Sequence, residues 1–146
     1  MRKVNTVRFG AIEIDESKVV RFEQGIPAFE DEHEFLIIPY DEESPYLFLQ
    51  SAATPELAFL MTDPFVFFPD YTFELDDANM EALGVTNDAD VLVCSLITIP
   101  PTGIKNMTTN LLAPIVINQS NMKARQVVLE KTNYTTKHRL FPEKEE

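Results

Sequence analysis

Val91-Leu92-Val93-Cys94-Ser95-Leu96-Ile97-Thr98-Ile99, closed by Pro100-Pro101-Thr102-Gly103, is the stretch that decides the fold. Val91, Val93, Ile97 and Ile99 fall on the period of two that a strand imposes, and two prolines and a glycine end the run. The same signature recurs in shorter form on both sides. Downstream, Leu111 to Asn118 is interrupted by Pro114, which predicts a bend followed by a strand Ile115-Val116-Ile117. Asn118-Gln119-Ser120-Asn121 reads as a turn, Arg125 to Leu129 as the returning strand, and Tyr134 to Phe141 as a last apolar piece. Upstream, Phe35–Ile38, Tyr46–Gln50 and Ala58–Thr62 are short apolar runs bounded by Pro, Asp or Glu, at the spacing of a sandwich or barrel. At the start, Val7, Phe9, Ile12 and Ile14 alternate with polar residues, with Gly10 as a bend, and Val19, Val20 and Phe22 follow the turn-like Asp15-Glu16-Ser17.

Prolines frame the two exceptions to this pattern. Gly25-Ile26-Pro27-Ala28-Phe29-Glu30 is expected to be a loop or sheet edge, because Pro27 fixes φ and donates no hydrogen bond. Asp63-Pro64 and Pro69-Asp70 bracket Phe65-Val66-Phe67-Phe68, which shortens any strand there to an edge piece. A single helix is expected over Asp77 to Leu83. Asp76 would accept from its first turn, Leu75 and Met80 form a hydrophobic staple, and Gly84 provides the left-handed stop. The fold class is therefore all-β: a single compact β-barrel-like domain of short antiparallel strands with one short helix. It is expected to span residues 1–141, followed by a charged, mobile tail at 142–146.

At 146 residues with 11 Phe and 4 Tyr, the chain has ample bulk for a core without disulfides or metals. Its one cysteine, Cys94, forbids an intramolecular disulfide and points to a reducing compartment. Met1 to Thr6 is basic but is followed by no apolar run. The longest apolar runs, such as Leu57 to Met61, are too short to cross a bilayer. The expectation is a cytoplasmic protein without a membrane partner.

Charge is segregated. From Phe22 to Ile104 there is no Lys or Arg against 17 Asp and Glu, whereas the remainder holds all 12 basic residues and 7 acids. Such a block repels nucleic acid and attracts basic partners, with a strong salt dependence; the alternative is general acidity that serves solubility. Lys105, Lys123, Arg125, Lys131, Lys137 and Arg139 could form a small basic face, or simply balance the block.

Signals for catalysis are weak. His33 and His138 have no spaced partners, so no metal or cofactor is expected. Glu30-Asp31-Glu32 and Asp41-Glu42-Glu43 lack calcium-loop spacing. Ser95 and Cys94 lie in a buried strand without a nucleophile elbow, and 4 glycines in all form no phosphate loop. Binding to protein remains, beside an enzyme whose cleft the sequence does not reveal.

Several strings in order narrow this choice. Gly25-Ile26-Pro27-Ala28-Phe29-Glu30 with Phe35-Leu36 resembles the Gly-Ile-Pro-Gly-Phe-Glu loop of the FliW flagellar assembly factor family. Asp63-Pro64-Phe65 and Phe68-Pro69-Asp70-Tyr71 are similar to its central signature, and Asn110-Leu111-Leu112-Ala113-Pro114-Ile115-Val116-Ile117-Asn118 with Gln126-Val127-Val128-Leu129 to its C-terminal half. The resemblance runs from about Val7 to Leu140. Ala28 departs from it, standing where the family usually has Gly; a φ open to both residues is the expectation there.

The resemblance implies a compact β-barrel-like fold and a non-enzymatic regulator with two protein partners. One is CsrA, a small dimer that represses translation by binding messenger RNA. The other is flagellin, which recaptures the regulator when it accumulates. With that role, Glu30, Asp31, Glu32, Asp41, Glu42, Glu43, Asp76 and Asp77 are expected to contribute a CsrA-facing acidic surface, or else to be plain solvated loops. Ile26, Phe29, Tyr71, Asn118 and Asn121 are expected near exposed loops that receive flagellin. No direct nucleic-acid binding is expected, and the free chain is expected to be monomeric. The alternative is an acidic module for another basic partner.

Overall fold

The computed structural model describes residues 1–85, 91–130 and 132–141. The charged tail at 142–146 and Lys131 lie outside the described residues. Strands β1 (Arg2–Thr6) and β2 (Gly10–Ile14) form an antiparallel hairpin. They are followed by β3 (Val20–Arg21), β4 (Glu34–Pro39), β5 (Tyr46–Ser51) and β6 (Ala58–Thr62). Helices α1 (Pro64–Phe67) and α2 (Asp77–Leu83) precede β7 (Val91–Thr98). The chain ends with β8 (Thr108–Thr109), β9 (Ile115–Asn118), β10 (Lys123–Gln126) and β11 (His138–Arg139).

Seven strands close on themselves in the order β3-β4-β5-β6-β7-β9-β10, with β10 returning to β3. The closing pair, Lys123 opposite Arg21, is parallel, whereas every other rung of the barrel is antiparallel. Closure removes most of the exposed edge an open sheet would present. β8 and β11 extend the sheet beyond the far end of β7.

Alternation divides the apolar residues among three cores. Inside the barrel lie Phe22, Phe35, Leu49, Met61, Cys94, Ile115, Ile117 and the plug residue Ile26. Outward residues of β7 and β9, including Val93 and Val116, join Tyr71, Leu83, Leu111, Val127 and Leu129 in a second core beneath α2. Leu36, on the outer face of β4, packs with Val4 and Val19 under the hairpin. Arg2 pins that hairpin to β4 through Glu34 at 2.9 Å, and Arg21 reaches Glu16 at 3.0 Å.

Three local expectations are corrected. Phe65 to Phe68 is no edge strand: Asp63 Oδ1 accepts from Phe65 N at 3.0 Å and Pro64 supplies a helix-ready φ, so the segment winds into α1. The first strand is Arg2–Thr6, and Val7 lies exposed in the turn that follows. The Thr6 hydroxyl closes that turn, donating to Gly10 O and accepting from Phe9 N, both at 2.8 Å. The returning strand β10 begins two residues early, at Lys123. The ladder then continues irregularly past Pro114, with Val127 N bonding Pro114 O at 2.9 Å and Leu129 N bonding Leu112 O at 2.8 Å.

Candidate functional site

The Gly25–Glu30 loop is a tight β-turn at the barrel mouth. Phe29 N donates to Ile26 O at 2.6 Å, with Pro27 and Ala28 at the corner. Ala28 has φ +74°, so the position is left-handed and the expectation of a φ open to both Ala and Gly is corrected. Gly25, at φ +69°, admits no side chain, because a Cβ would lie 2.5 Å from Glu30 O. The turn drives Ile26 into the barrel and leaves Phe29 39% exposed, its ring edge-on to Phe59 at 5.2 Å.

The acidic residues divide by what their carboxylates touch. Asp31, Asp41, Glu42, Glu43 and Asp77 are exposed, as is Glu30, which accepts from Ala28 N at 3.3 Å. Glu32 is tied down: Ser51 Oγ and Thr54 Oγ1 both donate to it, the latter at 2.6 Å. Asp41 Oδ1 folds back to accept from Glu43 N at 2.9 Å and shapes the β4–β5 loop. Asp76 caps α2, accepting from Asn79 N at 2.8 Å. The first two clusters flank opposite ends of β4, a strand of about 20 Å at roughly 3.3 Å per residue. The structure therefore spreads them along the barrel rather than merging them.

Of the five residues expected near open loops, Phe29 and Asn121 have exposed side chains and the other three are buried. Ile26, Tyr71 and Asn118 are only 2%, 4% and 2% exposed. The Tyr71 hydroxyl donates to Leu111 O at 2.8 Å inside a ring cluster with Phe65, Phe73 and Tyr134, and burial raises its pKa above the ordinary phenol value. Asn118 and Asn121 both donate to Leu83 O, at 2.8 and 3.0 Å, and so satisfy the last carbonyl of α2.

Groups able to do chemistry are committed elsewhere. Burial, with a contribution from the Asp63 charge, pushes the Cys94 thiol up to about 12. His33 Nδ1 lies 2.9 Å from Phe22 O; His138 Nε2 accepts from Thr135 N at 2.8 Å, and burial lowers its pKa. Among the described residues no three His, Cys, Asp or Glu side chains are grouped to hold a metal, and no helix is long and apolar enough to cross a membrane. Lys123 pairs with Glu23 at 3.1 Å, and Arg125 donates to Gln24 at 3.3 Å, so these two basic residues face the acidic block's first residues.

One feature escaped the sequence reading. A groove of about 630 Å³ runs between the segment 63–80 and the start of β7, lined by Phe65, Thr72, Phe73, Leu75, Met80 and Val91–Val93, with Asp63 and Glu74. Beside it the outer face of α1 exposes Phe65 and Val66, the latter at 58%. The available signal was Asp63-Pro64, which stops β6 before β7 is fully paired.

Comparison with known proteins agrees with this frame. A sequence model of the FliW family, described as FliW protein, matches residues 3–140. The chain is 47% identical over 142 residues to the flagellar assembly factor FliW of a Geobacillus species, covering 97% of each. It is 44% identical over 135 residues to the FliW of Bacillus subtilis, covering 92% of this chain and 94% of that one. A crystal structure of the flagellar assembly factor FliW superposes with a TM-score of 0.91 at 45% identity, over 98% of this chain and 99% of the other. By sequence along nearly its whole length and by the closed barrel itself, the chain belongs to the FliW family.

Proposed function

We propose that this chain is a non-enzymatic flagellar assembly factor of the cytoplasm that works by switching between two protein partners. It binds CsrA and lifts its repression of flagellin synthesis; accumulated flagellin then recaptures it and restores repression. The observation that carries this reading is the carboxylate surface. Glu30, Asp31, Asp41, Glu42, Glu43 and Asp77 are exposed on a frame with no Lys or Arg between residues 22 and 104. A protein that holds RNA phosphates must present cations, and this surface offers them a competing anionic partner while repelling the RNA. The name flagellar assembly factor, carried by relatives of nearly the same length, supports the cellular setting. For flagellin, exposed Phe29 and the apolar rim of Phe65 and Val66 are the surfaces that suit a helix of an unassembled subunit.

The test is size-exclusion chromatography with light scattering. The free chain is expected to run as a monomer, to form a complex with CsrA, and to release CsrA when flagellin is added. Absence of a complex at low salt with either protein overturns the reading in favour of another basic partner.

A further inference from the structure

β7 outruns its neighbour. On one side its residues Val91 to Cys94 pair with Asn118 to Ile115 of β9. On the other, β6 reaches only as far as Thr62, opposite Ser95, before Asp63-Pro64 carries the chain into α1. Over Val91–Val93 the side facing away from β9 therefore has no strand beside it among the described residues. In an antiparallel ladder, alternate residues turn their N–H and C=O to opposite sides, so this stretch presents peptide groups to the open side.

The facing wall of the groove is chain outside any helix or strand. Thr72 is held by Tyr134, whose hydroxyl accepts from Thr72 N and donates to Thr72 O, both at 3.1 Å. Beyond it, Phe73, Glu74 and Leu75 make no backbone hydrogen bond among the described residues. Consecutive residues line each wall, Thr72 to Leu75 on one and Val91 to Val93 on the other, so the groove is a slot along two backbones and not a patch on a sheet face. Its floor is apolar, from Phe65, Phe73, Leu75 and Met80. Its anionic groups are Asp63 and Glu74 in the lining, and Asp70, Asp76, Asp77 and Glu81 exposed in the same stretch of chain. No Lys or Arg between residues 22 and 104 offsets them.

We propose that this slot is a strand-addition site for an extended basic peptide segment. The segment carries apolar side chains at one set of alternate positions and Lys or Arg at the other. It enters between Val91–Val93 and Thr72–Leu75 and pairs its backbone with the open edge of β7. Its apolar side chains meet the floor and its cations meet the carboxylates. Three residues of edge span about 10 Å, which a segment of roughly three to five residues covers. This goes beyond the partner-switching reading: the slot shares Phe65 and Asp77 with the surfaces proposed there, but the exposed clusters flanking β4 take no part in it.

The test is a ¹⁵N-labelled NMR titration of the full chain with an acetylated, amidated hexapeptide alternating valine and lysine. Two further versions carry N-methyl groups on alternate amides, one set in each, and a fourth peptide replaces lysine with glutamate. The expected result is movement and slowed exchange of the Val91–Val93 and Phe73–Leu75 amides. One N-methylated version should bind roughly tenfold more weakly than the parent, as lost backbone bonds predict, and the glutamate peptide should not bind. Thr72→Arg, which keeps the backbone bonds to Tyr134 and places a cation in the slot, should weaken binding by a similar factor with an unchanged circular dichroism spectrum. Shifts that map elsewhere, no saturation at millimolar peptide, or equal binding by all four peptides would each overturn the site. The CsrA complex is read separately by light scattering, so failure of one reading is distinguishable from failure of the other.

Discussion

Ala28 occupies the second corner of a turn whose first corner is Pro27, with φ +74°. This is the position where a type II turn requires positive φ and favours glycine, and an alanine Cβ is strained there by about 1–2 kcal/mol. Ala28→Gly relieves that strain but loosens the unfolded chain by about 0.4–1 kcal/mol. The net expectation is a stabilisation of roughly 0.5–1 kcal/mol, read as a raised urea midpoint at constant slope; a lowered midpoint would show that the alanine is accommodated without strain. A second residue-scale expectation concerns pH. The Arg2 guanidinium, through its hydrogen bond and charge, holds the Glu34 carboxyl below its ordinary 4.5. A lowered folded pKa means that the unfolded chain binds the proton more readily, so the contribution is complete above the ordinary value and is lost as pH falls through the folded one. Unfolding followed from pH 6 to 3 should therefore show a shallower acid loss in Glu34→Gln than in the parent chain. Equal slopes would mean that the pair contributes nothing.

At the scale of elements, α2 shows how far local chemistry reaches. It is seven residues long, too short to persist alone, yet its bounds, Asp76 cap and Gly84 stop were legible because each depends on neighbours within a turn. Gly84 N bonds Glu81 O and Val85 N bonds Met80 O, the paired closure of a left-handed stop. Asp76→Ala should cost about 1 kcal/mol in thermal or urea unfolding. The other end depends on distant sequence: Asn118 and Asn121 donate to Leu83 O from 35 and 38 residues away. No local signal separates such a cap from a binding amide, which is why both asparagines were read as contacts. Asn118→Ala leaves a buried carbonyl with one donor fewer, and about 1–3 kcal/mol of destabilisation is expected. Flagellin binding retained by a folded Asn118→Ala variant would remove Asn118 from the contact surface. The strands β4, β5 and β6 were legible as short apolar runs bounded by Pro, Asp or Glu, and β9 as the apolar run after Pro114. The one-turn helix α1 was not, because four apolar residues between prolines suit a strand or a helix equally until Asp63 is seen to cap them.

At the scale of the whole molecule, the barrel-like fold was legible, but the strand pair that closes it was not, because the parallel pairing of Lys123 with Arg21 joins residues about a hundred positions apart. The charge segregation was legible in full, since it is a property of order along the chain. What the fold adds is a division of labour among the carboxylates. Glu32 and Asp76 hold loops and a helix end, so their neutralisation reads as stability, whereas Glu30–Asp31 and Asp41–Glu43 face solvent at opposite ends of β4. Single rim charges contribute little, on the order of 0–1 kcal/mol, but several together shape the field a cationic partner meets at the Debye distance of about 10 Å at 0.1 M salt. Amide replacement of both solvent-facing clusters should therefore slow CsrA association severalfold at low salt, flatten its salt dependence, and leave dissociation and the unfolding midpoint nearly unchanged. Stopped-flow association over a salt series, with Glu32→Gln as the structural control, checks this. Unchanged rates and salt slope in the cluster variant would remove electrostatic steering by these groups and leave the carboxylates a role in solubility alone.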